Sequence, residues 1–200
     1  ILSSLNKSHH DIAKVVYEMF KHEFRCVSNK NRVWYQFKNH RWNELDDAID
    51  LSKRLSDIKK GGLIYEYLSL NQYISSKVCD TINTLSNKQN QYEMDNLKTI
   101  AGIISKLKIT SFKKNVIQEC KEMFHDNKFE EKLNSNRNLL GFDNGIYDLE
   151  LCTFRAGLPE DYMTFSTNNN YYDFEEDDER LLEVKQFLVE VLPKDNIREY

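Results

Sequence analysis

The sequence predicts an α+β fold that is mainly α-helical: a helical bundle with an early aromatic hairpin and a small late antiparallel β-meander. Three observations carry this. Long stretches place apolar residues three and four apart on one side only, so the helices they form must pack on one another. Residues 32–43 abandon that period for β-branched and aromatic residues in alternation with polar ones. An Asn144-Gly145 pair between two apolar runs is the strongest short hairpin signal in the chain.

Taken in order, Ser8 can cap a helix running to about Arg25, with Ile12, Val15, Val16, Met19, Phe20 and Phe24 as its stripe and Asp11 in its first turn. Arg32 to Phe37, a turn at Lys38-Asn39-His40, and Arg41-Trp42-Asn43 form the hairpin. Asp46 or Asp47 opens a helix to about Lys59, which Gly61-Gly62 stops. Leu63, Tyr67, Leu70, Ile74, Val78, Ile82 and Leu85 place a helix over much of 63–86, followed by a polar connector at 86–91. Further helices cover 92–108 and, from a cap at Thr110 or Ser111, the stretch through Phe124. Leu139–Phe142 and Ile146–Leu149 then flank the Asn-Gly turn, which needs positive φ at both residues, and Cys152–Arg155 is a third strand. Leu158 to Tyr172 is extended or irregular, and a last helix follows the acidic run 173–179 and ends near Pro193.

Composition narrows the function classes. With 200 residues, 40% hydrophobic and 12% aromatic, the chain can bury a sizeable core, which rules out wholesale disorder. No apolar run approaches the roughly 20 residues of a membrane span, and no secretory signal opens the chain. The four cysteines, Cys26, Cys79, Cys120 and Cys152, are far apart, which fits neither a disulfide framework nor a zinc motif and suits a reducing compartment. The 20 Asn and 20 Lys against 4 Ala point to an A/T-rich genome. The chain starts at Ile1 without an initiator Met and reads as a piece of something longer. Charge is uneven: residues 1–140 carry 23 Lys+Arg against 17 Asp+Glu, and residues 141–200 carry 5 against 15. Such asymmetry can mark a nucleic-acid-facing half and a partner-facing half.

No catalytic residue and no metal site emerges. The phosphate loop G-x-x-x-x-G-K-[ST] is absent, as are G-x-G-x-x-G, G-x-S-x-G and H-E-x-x-H. His22 and Cys26 stand one helical turn apart but lack the two further ligands a closed site needs. The acidic run 173–179 could bind a divalent metal, but reads better as a solvated linker favouring the next helix's N-terminus. Two basic patches remain. In the first, Arg32, Lys38, His40 and Arg41 interleave with Trp34, Tyr35, Phe37 and Trp42: cations for phosphates, rings for stacking. Simple strand alternation, rings inward and cations outward, accounts for the same pattern. In the second, Lys106, Lys108, Lys113 and Lys114 surround a helix–helix turn, either as a nucleic-acid contact or as a solvated loop.

The stretch His10-Asp11-Ile12-Ala13, Val33-Trp34-Tyr35-Gln36-Phe37 and Arg41-Trp42 resembles a known viral module. So does Leu140-Gly141-Phe142-Asp143-Asn144-Gly145-Ile146-Tyr147-Asp148-Leu149, with Phe154-Arg155-Ala156-Gly157 and Pro159-Glu160-Asp161-Tyr162-Met163 after it. Together they resemble the domain N-terminal to the superfamily 3 AAA+ helicase core in poxvirus-type primase–helicases of large (giant) cytoplasmic DNA viruses. The resemblance covers about 9–172, and 173–200 resembles the helix leading into that core. It implies a collar-type domain over residues 1–172, helical over 1–135 and a β-meander over 136–172, and then an acidic linker and first helix at 173–200. It further implies a parent ATP-dependent DNA helicase, with ATP and Mg bound by the AAA+ domain downstream and none here. The implied partners are DNA, the parent's own primase and AAA+ domains, and a homo-hexamer, working in the host cytoplasm. On this reading the chain is a non-catalytic module that couples primase to helicase and touches DNA. The alternatives are a stand-alone single-strand nucleic-acid-binding module and a pure oligomerisation scaffold.

Overall fold

Period-two alternation builds the centre of the molecule. In the computed structural model, which describes residues 1–28, 33–81, 87–175 and 178–192, the predicted hairpin is part of a three-stranded antiparallel sheet. Its strands are β1 (Phe24–Ser28), β2 (Val33–Lys38) and β3 (Arg41–Asp46), in that order. β1 corrects the expected helix to Arg25. The helix α1 stops at Phe20, a turn follows, and Phe24 and Cys26 then go inward two apart. Phe20 and Phe24 mimic a helical step of four, but they face each other across the turn as an edge-on ring pair at 6.2 Å.

Both faces of this sheet are covered. On one, Phe24, Cys26 and Trp34 meet the helical core. α1 (His9–Phe20) lies along α5 (Thr110–Met123) there, and the Trp34 ring sits 5.7 Å from Phe124. On the other, Tyr35, Phe37 and Trp42 close around Phe129, whose ring lies 5.3 Å from Tyr35 and 4.9 Å from Trp42. Phe129 opens the one-turn helix α6 (Phe129–Lys132), too short to leave a periodic signal in the sequence. The free edge of β1 is taken by the stretch after α5: Cys26 N–H donates to Phe124 O and Asp126 N–H to Cys26 O, both at 2.9 Å.

The remaining helices complete the larger core. α2 (Ile49–Ser56) is shorter than expected. Asp47 has φ 63° and accepts the Ala48 N–H, so the chain turns before the helix begins. The helix ends before the glycine pair; Gly62 serves a close approach instead, since a Cβ there would lie 2.3 Å from Asp57 O. α3 (Leu63–Thr81) and α4 (Asn87–Leu107) pack on each other, burying Leu63, Ile64, Tyr67, Ile100, Ile103 and Leu107. Ile82 and Leu85 lie outside the described residues. α4 begins at Asn87, so most of the expected connector at 86–91 is helix. Ser8 stands at the N-cap of α1, but its side chain caps nothing; Asn6 bridges instead, accepting the Ser8 N–H and donating to Asp11.

The meander forms as predicted from β4 (Leu139–Phe142), β5 (Gly145–Asp148) and β6 (Thr153–Arg155). Its buried face is Leu139, Ile146 and, from the following segment, Met163. The last helix, α7 (Glu179–Val191), is capped by the Asp178 carboxylate, which accepts the Arg180 N–H; Pro193 lies outside the described residues.

One turn assignment is reversed. Phe142 pairs with Gly145, so the loop residues are Asp143 and Asn144, and neither they nor Gly145 has positive φ. The mirror-image hairpin turn lies instead between β2 and β3, where Asn39 and His40 have φ of 53° and 65°. Gly145 is required by proximity: a Cβ there would lie 2.6 Å from both the Arg155 carbonyl oxygen and the Phe154 ring. Gly145→Val is therefore expected to cost at least ~1 kcal/mol through overlap, and Gly145→Ala to be destabilising too, since the Cβ alone makes the clash. Thermal melting checks this; an unchanged midpoint for both variants would refute it.

Candidate nucleic-acid interface

Period-two alternation puts Trp34 and Trp42 on opposite faces of the first sheet, and each face has its own core. Trp34 is 0% and Trp42 1% exposed, so neither ring offers a face to a base. Trp42 donates its Nε1–H to Pro159 O at 2.8 Å, whereas the Trp34 Nε1 has no partner among the described residues. Arg25, on β1 two strands away, lays its guanidinium over the Trp42 ring at 5.6 Å.

The hairpin cations divide. Lys38 is exposed at the tip. His40 Nδ1 accepts the Gly157 N–H at 3.2 Å, which ties the tip to the loop after β6. Arg41 donates to Asp143 at 3.0 Å, linking β3 to the meander turn. The Ser166 hydroxyl, followed by Arg41, holds the Asp143 carboxyl below the usual carboxylate range. Arg32 lies outside the described residues.

The second patch is built by the tight α4–α5 junction, where only Lys108 and Ile109 separate the helices. Lys106 rests its ammonium 5.5 Å over the Phe112 ring. Lys108 and Lys114 are exposed and Lys113 half-buried, and among the described residues no carboxylate pairs with any of the four. The structure adds Lys121, seven residues after Lys114 on the same face of α5. The two line a cleft of about 360 Å³ against α2, with Asp47 and Ser52 opposite. Helical spacing from Lys114 was the signal for it. The two patches do not converge. Arg41 starts β3 and Asp47 follows its end, and the strand between them spans roughly 17 Å at about 3.3 Å per residue.

Burial pushes the Cys120 thiol up to about 12 and raises Cys26 as well, which leaves both thiols protonated and inert. Cys26 is buried in the core from β1. Among the described residues no group of three or more His, Cys, Asp or Glu could hold a metal ion, and no helix is long and apolar enough to cross a membrane.

Residues 13–193 match the family described as D5 N terminal like. A protein of Acanthamoeba polyphaga mimivirus named "Putative helicase" is 35% identical over 200 residues, covering 100% of this chain and 20% of its own length. A protein of the same name from Invertebrate iridescent virus 3 is 32% identical over 117 residues, or 58% of this chain and 12% of its own. One from Frog virus 3 is 25% identical over 177 residues, or 76% of this chain and 18% of its own. The chain thus spans about a fifth or less of the length of these curated relatives.

Because both tryptophans are core residues, Trp34→Ala and Trp42→Ala are each expected to cost about 3–5 kcal/mol of stability. Chemical denaturation with tryptophan fluorescence reads this. A midpoint within error of the parent for either variant would mean that the ring is not packed.

Proposed function

This chain belongs to the D5 N-terminal-like family, and from that premise we propose that it is the non-catalytic module of a viral DNA primase–helicase. In a longer protein it would couple a primase to a hexameric helicase ring and touch DNA as it does so. The observation carrying this reading is the identity along all 200 residues with a mimivirus protein named as a helicase, over a stretch that contains no nucleotide-binding motif. The residues present do not fit ATP with Mg: no glycine-rich phosphate loop exists in the sequence, and no ligand cluster among the described residues. On this reading, ATP binding and hydrolysis would fall to another domain of the longer protein.

Two surfaces support the coupling and contact roles. α7 buries no residue of its own, and Leu182, Val184, Phe187, Leu188, Val189 and Val191 are exposed along it. Val184, Phe187, Leu188 and Val191 share one side at helical spacing, and an exposed apolar face of that kind suits a protein neighbour, here the adjoining helicase or primase domain. Lys106, Lys108, Lys113, Lys114 and Lys121, with Lys38 at the hairpin tip, offer cations that can meet phosphates.

Two measurements test the reading. Calorimetry with ATP and a phosphate-release assay on the chain are expected to show no binding and no turnover; micromolar ATP binding would overturn the non-catalytic assignment. Anisotropy with a labelled single-stranded oligonucleotide is expected to show weak binding that falls with salt, with a log–log slope of about −0.7 per phosphate neutralised. Lys108→Ala combined with Lys114→Ala should flatten the slope by up to about 1.4. Absence of binding by the parent chain at low salt would leave a protein-coupling scaffold without DNA contact.

A further inference from the structure

On the face of the first sheet opposite the helical core, a cleft of about 520 Å³ opens between β2–β3 and two segments of the meander half. That volume lies in the range of ligand sites, roughly 300–1,000 Å³. Tyr35, Trp42, Glu44, Asn134, Thr164 and Phe165 are among the residues that line it, and it is broadly open to solvent. Its walls are polar and aromatic together.

Phe165 is the unusual member. Its side chain is 71% exposed and stands among the large apolar residues left in water. The main chain beneath it is nevertheless held on both sides. Thr164 N–H donates to Asn134 Oδ1 at 2.9 Å, and Thr167 N–H donates to Gly141 O at 2.9 Å. Gly141 lets this segment lie directly on β4, because a Cβ there would meet Phe165 O at 2.3 Å. A flat ring is thus presented to solvent from an anchored backbone, at the mouth of a cleft. Ordering entropy is already spent, so a ligand that stacks on the ring loses little freedom in the protein.

The polar groups beside it retain unused capacity. Thr164 Oγ1 accepts from Asn134 Nδ2 at 2.7 Å and keeps its own proton to donate. Glu44, exposed on β3 and opposite Tyr35 on β2, accepts from the Tyr35 hydroxyl and has further carboxylate lone pairs left over at the same cleft. A hydrogen-bond donor and an anionic acceptor at the edge of a stacking surface match the edge and face of a base.

We infer that this cleft is a base-binding site, taking one unpaired nucleobase of single-stranded DNA stacked on Phe165, with its edge against Glu44 and Thr164. The inference rests on the DNA contact proposed above and relocates its stacking component from the buried tryptophans to Phe165. A base already stacked in a duplex presents no free face, so the site selects single strands.

Anisotropy with the chain and a labelled deoxycytidine oligomer, compared with an abasic oligomer of equal length, tests this. The intact oligomer is expected to bind about 5- to 100-fold more tightly than the abasic one, the range that base–aromatic stacking supplies. Phe165→Ala should abolish that difference without changing the salt slope, and Phe165→Trp should retain it. Because the ring is exposed, both variants should melt with the parent. Equal binding of intact and abasic oligomers by the parent chain would overturn the inference while leaving backbone contact standing. A Phe165→Ala variant that still prefers the intact oligomer would overturn it too. Failure of the parent chain to bind either oligomer would refute the DNA contact itself, and this site with it.

Discussion

The Trp42 indole donates Nε1–H to Pro159 O at 2.8 Å, and the Trp42 main-chain N–H donates to Met163 O at 2.7 Å. The same ring meets Phe37 at 5.6 Å and Phe129 at 4.9 Å. One residue of β3 therefore holds the segment after β6 through two hydrogen bonds and also centres the second core. Neutral hydrogen bonds are worth about 0.5–1.5 kcal/mol each, and leaving their buried partners unmet costs more. The Arg41–Asp143 pair and the Gly157–His40 bond reinforce the joint from the hairpin tip. Remove this junction and the meander loses its seat on the sheet, and the outer face of β2 and β3 loses its cover.

That joint determines where function can reside. A sheet covered on both faces has no ring to offer a nucleic acid, so the aromatic content of the hairpin serves packing. Contact with solvent passes to the periphery: the lysines of the α4–α5 junction, the tip Lys38, the apolar length of α7, and Phe165. The cleft beside Phe165 is itself a product of the joint, because its two sides come from β2–β3 and from segments that Trp42 and Asn134 hold against them.

Several of the perturbed groups have a plain structural cause. The two core cysteines are protonated by burial, and the perturbed carboxylates Asp143 and Asp178 are explained by their hydrogen-bonded neighbours. Arg155 is tied to Asp161 through two bonds of 2.8 and 2.7 Å, a bracing contact within the meander half. The family match over residues 13–193, with relatives named as helicases, places these features in a helicase-associated module.

Much of this was legible in the sequence. The helices at 63–81 and 110–123 and the three meander strands follow from apolar spacing and turn residues, because period and propensity are local properties that a short window contains. The family resemblance at 140–149 was equally local. Other features depended on distant residues. Phe24 and Cys26 belong to a strand because β2 is there to pair with them, not because their own stretch declares it. The Asn144-Gly145 pair looked like the source of the mirror-image turn, yet Asn39-His40 adopts it, and Gly145 answers to Arg155 and Phe154. Alternation at 33–42 told that one side of the hairpin would be buried. Whether the other side was wet depended on Phe129, Pro159 and Met163, some 90 to 120 residues further along. A strand's two faces are written in its own sequence, but what covers them is supplied by chain brought from far away, and only the tertiary structure brings it.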